Sequence, residues 1–219
     1  MTELVEFPKR TLAHTVYKNS KGEIVPSVTT VLNVLNKPAL IKWANNLGLQ
    51  GIDSTKYVDK LAGIGTLAHY LIECYLKKEE PDLSEFSPDD VKKAQVAVEK
   101  YLKWEKEYKP EPILIEQPLV SDEFNYGGQI DLVAKLNNKV TLIDFKTCKA
   151  IYPEMMYQLA AYKNLLLNTG QHVDEAIILR IGRDESEGFE VRHAGDLKNE
   201  WLIFESCLKI YHLKQKLEK

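Results

Sequence analysis

Two stretches constrain the fold of this chain more than any other. They are Gly127-Gly128-Gln129-Ile130-Asp131-Leu132-Val133-Ala134 and Leu142-Ile143-Asp144-Phe145-Lys146-Thr147. They read as two short β-strands joined by a turn at Asn137-Asn138, because Asn tolerates the left-handed backbone of a tight hairpin. Side chains alternate along a strand. Ile143 and Phe145 therefore share one face, and Asp144 and Lys146 the other. Asp131 stands among apolar neighbours in the preceding strand. Two carboxylates and one ammonium converge from adjacent strands.

Burying such groups is costly unless each is paired or bound to a metal. Two hard oxygen ligands suit Mg²⁺ or Mn²⁺, which keep open positions for water and for a substrate phosphate. A lysine one residue beyond a ligand can orient or deprotonate an attacking water, or steady developing negative charge. Metal-assisted hydrolysis of a phosphodiester uses these parts. The same three residues also fit an ordinary salt-bridged edge hairpin, and the rest of the chain has to decide between the two.

Length and composition allow one domain of ample size. The 219 residues are 44% hydrophobic and 28% charged, ordinary for a soluble globular protein. The net charge of −3 gives no global basic signature for nucleic acid, although a local basic groove would not show in the total. Cys74, Cys148 and Cys207 are few, odd in number and far apart, which argues against a disulfide framework, a zinc site or an iron–sulfur cluster. A reducing cytoplasm is the expected location. The acidic stretch Met1 to Arg10 shows no signal peptide, and no apolar run is long enough to span a bilayer, so no membrane partner is expected.

The periodicity predicts helices first and a sheet later. Thr15-Val16-Tyr17 and Glu23-Ile24-Val25 flank a hairpin turn, and Ser27 caps a helix carrying Val28, Val31, Leu32 and Leu35. Pro38 interrupts it, and a second helix runs from about Ala39 to Leu47. A longer helical stretch covers Tyr57 to Lys78, with a break at Gly63 and Gly65 and a restart at about Thr66. His69 and Glu73 then share a face. Ser87-Pro88-Asp89-Asp90 starts a helix that reaches about Tyr108. Strands follow at 113–120 and across the central hairpin, then a helix from Pro153 to Asn168, strands at 175–181 and 188–193, and a final amphipathic helix capped by Asp196. This order predicts an α/β (mixed α+β) fold, a central mixed sheet flanked by helices with an N-terminal helical elaboration.

Further residues fit a metal site. His69 can offer an imidazole, and Glu116 can ligate or orient a ligand. Gln158 and Tyr162, at i and i+4, can hydrogen-bond Lys146 or a phosphate, and Thr66 can touch a phosphate. Each also has an ordinary structural reading as a surface histidine, a cross-strand ion pair, a boundary pair or a helix cap.

Taken in order, Gly65-Thr66-x-x-His69, Glu116, Gly128-x-x-Asp131, Asp144-Phe145-Lys146-Thr147 and Gln158-x-x-x-Tyr162 resemble the PD-(D/E)xK nuclease superfamily. The helix histidine and the Gln-x-x-x-Tyr element resemble its RecB-type branch. Pro26-Ser27-Val28-Thr29-Thr30-Val31-Leu32 and Lys42-Trp43-Ala44 look like segments of the phage exonucleases close to the mitochondrial genome maintenance exonuclease. The resemblance covers roughly residues 15 to 182. It implies a restriction-endonuclease-like core in a single nuclease domain, 1–219. Within it, 1–110 is mainly helical and carries His69, and 111–219 is the sheet-centred catalytic core.

The resemblance further implies metal ligands His69, Asp131, Asp144 and the main-chain carbonyl of Phe145, with Glu116 as a further candidate. Lys146 would position or activate water, with Gln158 and Tyr162 supporting it and the substrate. Ser27, Thr29, Thr66, Trp43, Lys56 and Tyr57 are candidate substrate contacts, the last three by stacking and charge neutralisation. The implied activity is a Mg²⁺- or Mn²⁺-dependent exonuclease acting at free ends of DNA, preferring single strands, in phage or cellular recombination, replication or repair. A single-strand-annealing or other recombination protein is an expected partner. A structure-specific endonuclease and a non-catalytic nucleic-acid-binding module remain the alternatives. No Walker A pattern is present, so the chain carries no motor of its own.

Overall fold

A computed structural model describes residues 15–218. The expectation for Met1 to Arg10 lies outside them. A small antiparallel hairpin comes first, β1 (Tyr17–Lys18) and β2 (Ile24–Val25). Ser27 caps α1 (Val28–Leu32), its Oγ accepting the Thr30 N–H at 3.0 Å. Helix α2 (Pro38–Leu49) begins on the proline, which suits a first-turn position because its missing N–H would have no helical partner there.

Helix α3 (Ser54–Lys77) corrects one expectation. It runs unbroken through Gly63 and Gly65. Its buried side chains Ile64, Leu67, Ala68 and Ile72 hold it against the core, and that packing outweighs about 1 kcal/mol per glycine. Thr66 therefore lies inside the helix. Its hydroxyl donates to the Ala62 carbonyl at 3.0 Å and caps nothing. Helix α4 (Pro88–Tyr108) starts as its signals require, with Ser87 as cap and Asp89 and Asp90 in the first turn.

Five strands then build one sheet, β3 (Glu111–Ser121), β4 (Tyr126–Leu136), β5 (Lys139–Lys146), β6 (Glu175–Ile181) and β7 (Phe189–His193). Their spatial order follows the chain, β3-β4-β5-β6-β7. Strands β5 and β6 pair in parallel across α5 (Pro153–Asn168), and the other neighbours are antiparallel. Strand β4, at 11 residues, is longer than expected. Asn137 and Asn138, at φ 49° and 63°, close the β4–β5 hairpin with the double left-handed turn that Asn permits. Helix α6 (Lys198–Leu217) ends the described chain. Asp196 accepts the Lys198 N–H, but Leu197, at φ 58°, occupies the cap position.

The sheet is mixed and has helices on both faces. Helices α3 and α4 share a core with Leu132, Ile143, Phe145, Ile177 and Leu179. Helices α1, α5 and α6 share the opposite core with Ile130, Val133, Leu142 and Ile178. The N-terminal helices thus build both layers. No helix of the described residues is long and apolar enough to cross a membrane.

Candidate metal centre

The site forms where β4 and β5 part. Their ladder ends at Leu132↔Ile143, whereas β5 stays paired to β6 through Lys146↔Arg180. The last residues of β5, Asp144 to Lys146, therefore lie beside a gap. The Phe145 N–H faces it and donates 2.7 Å to Asp131 Oδ2, so a side chain takes the place of a strand partner.

A second irregularity sits beside it. On β3, Glu116 stands at the position opposite Asp131 with φ 47°, between the pairs Ile115↔Leu132 and Gln117↔Ile130. A non-glycine residue held in the left-handed region carries strain on the order of 1–3 kcal/mol. The alternation of β4 changes phase at the same level. Ile130 packs in the α5–α6 core and Leu132 in the α3–α4 core, although two-residue spacing would put them on one face. Distortions of this kind re-aim side chains. Here they turn Asp131 and Glu116 towards α3.

Helix α3 brings His69 to meet them. Gly65 permits the approach, because a Cβ there would sit 2.5 Å from Thr147 Oγ1 at the end of β5. The imidazole packs edge-on against Phe145, with ring centres 5.8 Å apart. Its Nδ1 lies 3.6 Å from Asp131 Oδ1 and 3.9 Å from Glu116 Oε1. One ligand atom each from His69, Glu116 and Asp131 falls within 4.8 Å of the others. Gln129 Nε2 steadies Glu116 through a 2.5 Å bond to Oε2.

Asp144 and Lys146 form the second half of the site, side by side on one face of β5. Lys146 Nζ is 2.5 Å from Asp144 Oδ2. Asp144 is 1% exposed, and its Oδ1 is buried with no hydrogen-bond partner. Next to this pair, Gln158 Nε2 donates 2.7 Å to the Tyr162 hydroxyl. Tyr162 lies flush against Gly128, where a Cβ would meet its ring at 2.7 Å.

The protonation pattern follows from this crowding. Burial pushes the Glu116 carboxyl up to about 8, helped by Asp131 and opposed by His69 and Gln129. Burial also raises Asp144 to about 6, with Lys146 opposing and Asp131 adding. Asp131 feels the same burial, but His69, Lys146 and the Phe145 N–H overcome it and hold the carboxylate below its usual range. Burial disfavours charge on His69 and Lys146, yet the facing carboxylates win, and both stay above their ordinary values. The cluster has more anionic sites than cations to balance them.

These residues fit a divalent cation. The donors are the carboxylate oxygens of Glu116 and Asp131 and the His69 imidazole; Asp144, the other carboxylate expected to ligate, stands outside this 4.8 Å group, its Oδ1 buried without a partner. The surrounding space is a cleft in two connected parts. One, of about 1020 Å³, is bordered by Ser27, Thr29, Thr66, His69 and Glu116. The other, of about 700 Å³, is bordered by Asp131, Lys146, Gln158, Tyr162 and again Thr29, Thr66 and His69.

The structure thus gathers most of the candidates named from the sequence. Trp43 and Tyr57 do pair, with ring centres 6.0 Å apart, but neither they nor Lys56 border either part of the cleft. Arg183 was missed. It borders the cleft on the Lys146 side, clamped by Glu187 through Nε at 3.0 Å and Nη2 at 2.6 Å. Its only sequence signal is its place just after β6, which no motif marks. Gln129 was also missed as the residue that holds Glu116.

The chain matches no family model and no curated protein. Among solved structures it is similar to a Eubacterium rectale protein described as a candidate exonuclease. The identity is 13% and the TM-score 0.47, over 65% of this chain and 64% of that one. It is also similar to the protein SSO0001, at 12% identity and a TM-score of 0.34, over 58% of this chain and 63% of that one. In both cases the match spans just under two thirds of the other chain.

Proposed function

We propose that this chain is a Mg²⁺- or Mn²⁺-dependent deoxyribonuclease that digests DNA from free ends and prefers single strands. One observation carries the reading: His69, Glu116 and Asp131 converge within 4.8 Å beside a buried Asp144–Lys146 pair, at the floor of an open cleft. A salt-bridged hairpin does not need a strained Glu116, a histidine from a distant helix or a buried oxygen left without a partner.

The cation would be held by His69, Asp131, Asp144 and the Phe145 carbonyl, with Glu116 as a further ligand. When bound it supplies Lewis-acid polarisation of the phosphodiester and acidifies water. The protein's own groups do the rest. Lys146, whose ammonium is favoured by Asp144 and Asp131 in the cation-free site, would position or activate the attacking water and steady charge that develops on the phosphate. Asp144 fixes Nζ in place. Gln158 and Tyr162 hold one another rigid on the same wall and offer polar atoms to the strand. Thr29 and Thr66 stand on the cleft border where backbone phosphates would pass. Preference for free ends and single strands comes from the resemblance of the ordered motifs, and so do a recombination pathway and an annealing partner.

The test is digestion of an end-labelled linear single strand with either cation, with a closed circular strand as control. Wild type degrades the linear strand and spares the circle. Lys146→Ala and Asp131→Ala abolish cleavage while folding persists. Cutting of the circle at the same rate replaces the exonuclease reading with an endonuclease. A folded wild type that cleaves nothing and binds no cation by calorimetry leaves a binding module.

A further inference from the structure

Helix α6 is apolar on two sides. Phe204, Cys207 and Leu208 face the core and are buried. A second stripe, Leu202, Ile203, Ile210, Leu213 and Leu217, is 56%, 37%, 49%, 59% and 88% exposed. At 100° per residue these five positions fall within an arc of about 100°, roughly opposite the buried face, and the stripe extends about 22 Å along the axis. Ile203, Ile210 and Leu217 recur every seven residues, the spacing of a helix–helix seam. Ser206 is the polar residue within the stripe, and its hydroxyl is already satisfied by the Leu202 carbonyl at 2.8 Å. It therefore adds no unpaired polar group to a covered surface. A contiguous exposed stripe of this kind marks an interaction surface.

We propose that this stripe packs against the same stripe of a second copy of the chain, with the two α6 helices antiparallel. Charge complementarity fits a second copy in the antiparallel direction. The N-terminal half of α6 carries Glu200 and Glu205 beside Lys198, which is paired with Asp196 at 3.1 Å, and the C-terminal half carries Lys209, Lys214 and Lys216. An antiparallel pair sets Leu202 opposite Leu217, brings Ile210 to meet its own copy near the two-fold axis, and places Glu205 beside the other copy's Lys216. Such an interface is self-complementary, as a two-fold dimer requires. Glu205 is held by Lys209 at 3.2 Å within its own helix, which aims it along the flank of the stripe. The other side of the same helix borders the larger part of the cleft through Tyr211, His212 and Gln215. Pairing of α6 would therefore brace one cleft wall in each copy. This inference stands on the helix alone and does not rest on the proposed chemistry.

Sedimentation equilibrium of the full chain, from low to high micromolar concentration, tests it. Wild type is expected to dimerise. Ile210→Glu should weaken the dimer on the order of 100-fold by setting two carboxylates at the axis, with unchanged helix content and melting temperature. Glu205→Lys and Lys216→Glu should each weaken it by about tenfold, and the double exchange should restore it. A wild type that stays monomeric throughout overturns the proposal, whether residues 1–14 or a different protein cover the face. A dimer unaffected by Ile210→Glu overturns it as well. Failure of the double exchange to restore the dimer overturns the antiparallel arrangement.

Discussion

Glu116 concentrates the cost of the site in one residue. Its backbone is left-handed, and its carboxyl is pushed up to about 8. These two features can be separated. Glu116→Gly and Glu116→Ala both remove the carboxyl, but only glycine accepts φ 47° without strain. The glycine variant should be more stable than the alanine variant by about 1 kcal/mol in urea denaturation, although glycine weakens most strands. The carboxyl has its own signature. A folded-state value of about 8, above the ordinary 4.5, means that the folded protein holds a proton the unfolded chain has lost. Stability from this group is complete below about 4.5 and disappears as pH rises through 8. Asp144, at about 6, acts in the same direction over a lower window. The melting temperature of the cation-free protein should therefore fall between pH 5 and 8 in step with these groups. Saturating Mn²⁺ should reduce or reverse the fall, because the cation favours the ionised carboxylates. A cation-free melting temperature that rises steadily across this range would contradict these assignments.

Elements explain which parts of the fold were legible in the sequence. The β4–β5 hairpin could be read because Asn137-Asn138 and the apolar runs beside it are local signals. The start of α4 could be read because Ser87, Pro88 and two acids announce it. The continuity of α3 could not, because propensity counts Gly63 and Gly65 alike while tertiary packing overrides both. The structure separates the glycines. Nothing lies within 4 Å of a Cβ built on Gly63, whereas one on Gly65 would sit 2.5 Å from Thr147 Oγ1; on β4, one on Gly128 would meet Tyr162 at 2.7 Å, Val28 at 3.1 Å and Leu165 at 3.2 Å. Gly63→Ala should stabilise by about 0.5–1 kcal/mol in thermal melts. Gly128→Ala should destabilise by about 1–3 kcal/mol and disturb Tyr162. At the end of β6 the chain turns through a buried ion pair, Arg183–Glu187, that no motif announced. Glu187→Gln leaves the guanidinium buried without its counter-charge and should cost about 3–5 kcal/mol. Replacing both partners with apolar residues of similar volume should cost much less. A double variant as unstable as the single would show that the loop, rather than the charge pair, carries that energy.

At the scale of the whole molecule, the candidate site draws on α3, β3, β4, β5 and α5, and sequence could place each residue on an element but not measure how the elements meet. The order Asp131, Asp144, Lys146, Gln158, Tyr162 pointed to one site on two adjacent strands and the helix after them. The gap between β4 and β5 that makes room for a ligand depends on where their ladder stops, and no residue type encodes that stop. The core behind it has a further consequence for how the chain is made. Val28, Val31 and Leu32 of α1 pack in the same cluster as Phe204, Cys207 and Leu208 of α6. Helix α1 leaves the ribosome early and first meets β4 and α5, where Val28 lies over Gly128 beside Leu165, and α6 closes the cluster after the whole sheet has followed. The seat of α1 is thus completed in two stages far apart in the chain. Nascent chains stalled after β7 should therefore protect α1 from proteases only in part, and protection should rise again once α6 has emerged.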